Sequence, residues 1–178
     1  EEEEKRLKAL AEYRILGTKP ESCYDEITKI AASTCNVPIS LMTLVDKNKQ
    51  WFKSKVGLEI NETKRDWSFC THAIKENNPL IINDAFQDER FINNPLVIGD
   101  PKIRFYAGFP LKTSDGNKLG TLCVIDRKPG ILNDKQHFIM ELLSKQIVSF
   151  LELRKKSLNL LDALSNLHKQ DGILSVCS

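Results

Sequence analysis

Ile103-Arg104-Phe105-Tyr106-Ala107-Gly108-Phe109-Pro110-Leu111-Lys112-Thr113-Ser114-Asp115-Gly116-Asn117-Lys118-Leu119-Gly120-Thr121-Leu122-Cys123-Val124-Ile125-Asp126 reads as two strands joined by a tight turn. Asp115-Gly116 is a strong hairpin signal, because glycine takes the positive φ that such turns require. The flanking runs, Ile103 to Pro110 and Leu119 to Asp126, are apolar and bounded by turn residues, as buried strands are. In the second run Thr121 and Cys123 alternate with Leu122 and Val124, so the two sets face opposite sides of a sheet.

A second hairpin lies upstream. Pro38 to Val45 places Ile39, Leu41, Thr43 and Val45 on one side and Ser40, Met42 and Leu44 on the other, and Asp46-Lys47-Asn48-Lys49 makes a polar turn into Gln50 to Val56. Both hairpins call for antiparallel pairing. Between them runs an irregular stretch from Gly57 to Lys102, with a short helix expected near Ser68 to Lys75 and a strand at Leu80 to Asn83. Long connections inside compact domains tend to carry function, so this one is expected to fold back as a lid over the sheet and enclose a polar site.

Helices flank the sheet. Leu7, Leu10, Ala11 and Ile15 recur at helical spacing, and Thr18-Lys19-Pro20-Glu21 reads as a capping box that starts a second helix running to Cys35. Its expected buried stripe is Tyr24, Ile27, Ile30, Ala31 and Thr34. From Asn133 a long helix begins, capped by Asn133 and Gln136 with Asp134 beside the N-terminal dipole. Ile139, Leu143, Gln146, Phe150, Leu153, Ser157, Leu160, Leu164 and Leu167 step by fours and threes along it, the spacing of a seam that closes on another helix. Past Leu153 such a helix outruns any small sheet, which predicts a parallel homodimer through the terminal helices.

Composition narrows the function classes. Of 178 residues, 41% are hydrophobic and 28% charged, and the net charge of +2 comes from scattered bases. That balance argues against nucleic acid as a partner. No apolar run reaches membrane-spanning length. The five cysteines, Cys23, Cys35, Cys70, Cys123 and Cys177, match neither a disulfide framework nor a metal-ligand pair, so the expectation is a cytoplasmic protein with no metal. The sequence opens without Met and stops after Val176-Cys177-Ser178, and is read as a piece of something longer.

An ordered series of blocks then carries a resemblance: Tyr13-Arg14-Ile15-Leu16-Gly17-Thr18, Val37-Pro38-Ile39-Ser40-Leu41, Gln50-Trp51-Phe52-Lys53, Glu62-Thr63-Lys64-Arg65-Asp66, Ser68-Phe69-Cys70-Thr71-His72-Ala73-Ile74, Asp84-Ala85, Asp88-Glu89-Arg90-Phe91, Asn94-Pro95-Leu96-Val97, and Leu119 to Asp126. From about Arg6 to Arg154 the chain resembles the GAF domains of bacterial signalling proteins, which sit ahead of histidine kinases, diguanylate cyclases or phosphatases. The resemblance implies an α+β fold, a three-layer α/β/α arrangement with a central antiparallel sheet and long N- and C-terminal helices. It also implies a non-catalytic sensor at 1–155, a signalling coiled-coil helix at 156–171 and the start of a linker or following unit at 172–178. The ligand implied is a small molecule, with a cyclic nucleotide, cAMP ahead of cGMP, as the best guess and no cofactor specified; the partner is a covalently linked output domain.

The residues expected to contact that ligand are Trp67, Ser68, Phe69, Cys70, Asp84, Ala85, Phe91, Asn94, Phe105, Tyr106 and Thr121. Aromatic rings among them suit stacking on a base, Asp84 following an apolar strand is expected to point inward, and backbone N–H groups at the Ser68 helix start suit an anion. After the last strand Ile125-Asp126-Arg127-Lys128 and Leu132 depart from the Asn-Lys and Phe signature of the phosphodiesterase cyclic-nucleotide domains. Two other functions fit the same resemblance. One is a thiol-based enzyme of the free methionine sulfoxide reductase type, with Cys70 and Cys123 as its thiols; the other is a ligand-free dimerisation module.

Overall fold

The structure, a computed structural model, describes residues 1–176, with side chains through 170. Its centre is one antiparallel sheet whose strands are β1 (Ile39–Val45), β2 (Lys49–Val56), β3 (Glu62–Lys64), β4 (Leu80–Ile82), β5 (Phe105–Lys112) and β6 (Lys118–Asp126). They lie in the order β3-β2-β1-β6-β5-β4. The two expected hairpins are the β1–β2 and β5–β6 pairs, and β1 against β6 joins them at the middle, with Leu41 opposite Cys123 and Thr43 opposite Thr121.

Alternation sorts the side chains of the central strands to two dry faces. Met42, Leu44, Leu122, Val124, Phe105, Ala107 and Phe109 meet the long helices. Ile39, Leu41, Val45, Cys123, Ile125 and Tyr106 meet the connection between the hairpins. On the helix face lie α1 (Glu2–Glu12), α2 (Ser22–Cys35) and α5 (Asp134–Val176), and on the other α3 (Phe69–Ala73) and α4 (Pro95–Ile98). This is the α+β, three-layer arrangement implied by the resemblance.

The start of α2 differs from the capping box expected at Thr18. The helix begins at Ser22, and Glu21 stands at its N-cap with no side-chain cap bond. Thr18 and Glu21 instead serve a buried cation. A bulge between Met42 and Thr43 leaves Lys53 as the extra residue of β2 and turns it toward the helices, where its ammonium, fully buried, meets Glu21 at 2.6 Å, Thr18 Oγ1 at 2.8 Å and the Lys19 carbonyl at 2.5 Å. A buried ammonium demands such partners, and a local cap bond loses to that demand. Along α2, Tyr24, Ile27 and Ala31 are buried as expected, but Ile30 is 48% exposed and Cys35 takes the inner place.

The helix α5 begins where expected, with Asn133 and Gln136 exchanging bonds: Gln136 N donates to Asn133 Oδ1 and Asn133 N to Gln136 Oε1. Its buried line is Met140, Ser144, Ile147 and Leu151. The predicted seam runs beside that line: Ile139, Leu143 and Phe150 are half-buried and Leu153 is exposed. From 159 to 170 every side chain is exposed. The helix is continuous past Gly172 to Val176, and the end of the expected linker at 172–178 lies outside the described residues.

The N-terminal helix is fastened by charge. Arg6 is buried, donating to the Val45 carbonyl at 2.7 Å and to both Glu3 carboxylate oxygens at 2.8 Å. Arg65 reaches the same carboxylate at 2.6 Å. Arg6, and then Arg65, hold Glu3 down at about 2 against the opposing effect of partial burial. A carboxylate depressed on folding stabilises above its unfolded pKa, and that support is lost as pH falls through the folded one. Glu3→Gln is therefore expected to lower the melting temperature at pH 7. The gap to wild type should narrow as pH falls from 4.5 toward 2, measured by thermal denaturation monitored by circular dichroism.

Candidate functional site

The connection from Gly57 to Lys102 does fold back over the sheet. Phe69, Cys70, Ala73, Ile74, Ala85, Phe91, Leu96 and Val97 from it pack against Ile39, Leu41, Val45, Phe52, Tyr106, Cys123 and Ile125. Both short helices of the lid have a side-chain cap. Ser68 caps α3 by accepting from Thr71 N, and Asn94 caps α4 by accepting from Leu96 N. The Asn94 amide also donates to the Trp67 carbonyl at 3.0 Å, clasping one part of the lid to another.

Beneath the lid the rings fill space for one another. Phe69 stacks on Phe91 with centroids 4.1 Å apart and planes 10° off parallel, Tyr106 tilts against Phe69 at 5.1 Å, and His72 meets the face of Phe91 edge-on. Burial lowers the pKa of His72, with the nearby charges of Lys75 and Arg90 acting the same way. Three of the rings expected to stack on a base, Phe69, Phe91 and Tyr106, are thus spent on each other. What remains is a cavity of about 20 Å³, walled mainly by Leu41, Gln50, Phe52, Phe69, Cys70, Leu96, Tyr106 and Cys123, with Leu58, Ile60 and Thr63 along its edge. That is room for about one water.

Of the expected contact residues, Ser68, Phe69, Cys70, Ala85, Phe91, Tyr106 and Thr121 are buried together on this face. Trp67 packs at the margin, with Lys64 over its ring at 5.0 Å. Three do not join them as expected. Phe105 lies on the opposite face, in the core beneath the helices; it precedes Tyr106 on β5, and neighbours on a strand cannot share a side. Asp84 does not point inward, because its carboxylate caps the short 3-10 turn Ala85–Gln87 by accepting from Phe86 N at 3.0 Å at the surface. Asn94 is occupied by its cap and its clasp. Sequence reasoning missed Gln50, Phe52 and Leu41. The Leu41-Thr43 and Thr121-Cys123 alternations, paired across β1 and β6, contained the signal for Leu41; the bulge hid Phe52.

Polar groups on this face are buried and mutually satisfied. Ser68 Oγ donates to Gln50 Oε1. The Cys70 sulfur accepts from Thr121 Oγ1 at 3.0 Å and from Tyr106 Oη at 3.2 Å, and Thr43 and Thr121 hydroxyls lie 3.1 Å apart. Burial is the largest influence on Cys70 and opposes its thiolate, but the thiol and hydroxyl groups around it outweigh burial and hold it below the ordinary thiol value. Cys123 is pushed well up, by burial first and then by the neighbouring Cys70, against the smaller opposing effects of Thr121 and the Leu41 backbone. Among the described residues no three His, Cys, Asp or Glu side chains gather as a metal site, and no helix is long and apolar enough to cross a membrane.

Comparison with known proteins sets this geometry in context. Residues 19–151 match the family described as GAF domain. A cyclic di-GMP phosphodiesterase of Pseudomonas aeruginosa is 36% identical over 171 residues, 96% of this chain; the chain spans 29% of that relative's length. Among solved structures, the GAF domain of an Acinetobacter phosphoenolpyruvate-protein phosphotransferase superposes with a TM-score of 0.61 at 14% identity, covering 84% of this chain and 92% of that one. The free methionine-R-sulfoxide reductase of Neisseria meningitidis, solved with its substrate, gives 0.62 at 13% identity over 82% and 87%. At those identities the two structures share the fold.

The stacked pair carries the lid's packing. Phe91→Ala is expected to destabilise the domain by about 3–5 kcal/mol, the usual range for removing a buried ring, and urea denaturation measures it.

Proposed function

The chain belongs to the GAF domain family, and on that premise we infer that it is a non-catalytic regulatory domain of a signalling protein, relaying its state to a linked output unit through α5 paired with a second copy. The observation that carries this reading is the unburied half of that helix. Leu153, Leu160, Leu161, Leu164 and Leu167 are between 45% and 62% exposed, and at about 1.5 Å per residue the stretch beyond Leu151 reaches far past the sheet. Exposed leucines at coiled-coil spacing lose that exposure in a parallel dimer, each worth roughly 1.5–3 kcal/mol if fully covered. The regulatory unit is then 1–155, the pairing segment 156–171, and an output such as the phosphodiesterase activity of the Pseudomonas relative lies beyond.

A cyclic nucleotide sensor, cAMP ahead of cGMP, is the second reading. A cavity of about 20 Å³ is far below the ~300 Å³ at which small-molecule sites begin, so such a guest binds only to a state with the lid open. The elements of the lid are short, β3 and β4 of three residues each, α3 of five and α4 of four, and opening it has to uncover Phe69, Phe91 and Leu96. A ligand would shift the balance by its preference for the open state. Free methionine sulfoxide has no place in the closed state either, and Cys70 and Cys123 are 1% and 0% exposed, which weighs against a reductase.

Light scattering on the eluted protein is expected to give a dimer, and the Leu160→Asp, Leu164→Asp double variant a monomer with an unchanged domain melting transition. A monomeric wild type would end the pairing model. Calorimetric titration with cAMP and cGMP separates the second reading: saturable heat supports it and silence with both removes it.

A further inference from the structure

We propose that Cys70 and Cys123 form a peroxide-reactive dithiol, oxidised in place to a disulfide by hydrogen peroxide or another peroxide of similar size that enters the cavity beneath the lid. Three observations converge on this pair. Both thiols line the same cavity. Thr121, which stands two residues before Cys123 on the same face of β6, bonds the Cys70 sulfur at 3.0 Å and so brings the two thiols to one place. The cavity's volume of about 20 Å³ restricts entry to molecules near the size of water, hydrogen peroxide being the smallest peroxide, and excludes larger oxidants such as glutathione disulfide. This inference does not rest on the pairing of α5.

The neighbours of Cys70 are those a nucleophilic sulfur requires. Thr121 Oγ1 and Tyr106 Oη point their donors at it from β6 and β5, and hydrogen bonds to a thiolate favour it over the thiol. The contrast with the other buried cysteine is informative: Cys35, on the helix face, has no such donors and burial pushes it up to about 11. Access is along the edge of the lid, where Ile60 is 48% exposed and Leu58 half-buried beside the cavity.

The chemistry balances in two steps. The Cys70 thiolate attacks one oxygen of the peroxide, the O–O bond breaks, and a sulfenic acid forms on Cys70 as hydroxide leaves and takes a proton to become water. The Cys123 sulfur then attacks the Cys70 sulfur, its proton leaving with the sulfenic oxygen as a second water, and the S–S bond closes. Two thiols are oxidised and one peroxide is reduced.

The test uses the whole folded chain. After hydrogen peroxide, free thiols are blocked with N-ethylmaleimide in denaturant and the digest is mapped by mass spectrometry. The peptides carrying Cys70 and Cys123 should be recovered linked, lighter by two hydrogens than the reduced pair, and dithiothreitol should release them. In Cys123→Ser the sulfenic acid should persist on Cys70 and be trapped by dimedone; Cys70→Ser should lose both the trap and the link. The proposal is overturned if both cysteines stay fully alkylated by maleimide after Cys23 has been oxidised, if they link only in denaturant, or if they reach sulfinic acid without linking. The wild-type map decides the matter by itself should either variant fail to fold.

Discussion

The pairing of β1 with β6 is the constraint from which the rest of the molecule follows. Both faces of these two strands are dry, so a slip of one residue would send Leu41 and Cys123 into the helix layer and Met42 and Leu122 under the lid. Gly120 fixes the register. A Cβ there would stand 1.9 Å from the Thr43 carbonyl oxygen, an approach that only glycine allows. One step on, the Thr43 and Thr121 hydroxyls satisfy each other, and Thr121 is thereby placed to reach Cys70. The chemistry under the lid is a consequence of that register.

The two faces of the sheet are joined at the β2 bulge. Phe52 walls the cavity, and the next residue, Lys53, is locked to Glu21 on the other side. Glu21 also lies 3.4 Å from the Arg154 guanidinium, which donates to the Tyr13 and Arg14 carbonyls at 2.8 Å. Arg14 in turn holds Asp162 on the exposed part of α5. A buried ammonium stripped of its carboxylate is strongly unfavourable, so Lys53 and Glu21 move together or not at all. Strand, interhelical loop and exit helix are mechanically one assembly at this point.

How much of this was legible in the sequence follows from the range of the forces involved. The hairpins, the helix starting at Asn133 and the short helix starting at Ser68 rest on local signals of turn chemistry, period and capping, and these read correctly. Thr18 and Glu21 misled because their true partner, Lys53, is more than thirty residues away and turned inward by a bulge that leaves no mark in composition. Phe105 misled because it was grouped with Tyr106 by chemistry, where the strand period separates them. Asp84 was claimed by a cap bond two residues on, a local use that outcompetes an inward orientation with no buried cation to meet it.

The closed lid sets a quantitative limit on what can bind there. To admit a guest of drug-like size, Phe69, Phe91 and Leu96 would have to leave their contacts, and re-exposing side chains of this kind costs about 1.5–3 kcal/mol each. Three of them amount to roughly 4.5–9 kcal/mol, which weakens apparent affinity by about three to six powers of ten unless the guest covers the same surface. A cyclic nucleotide presents a polar phosphate and one flat base, so the base alone must offset the lost ring contacts while the phosphate finds donors that the closed state keeps occupied. A molecule of two heavy atoms asks for far less displacement of these side chains. The packing that burdens one class of guest weighs far less on the other, and the site selects by size.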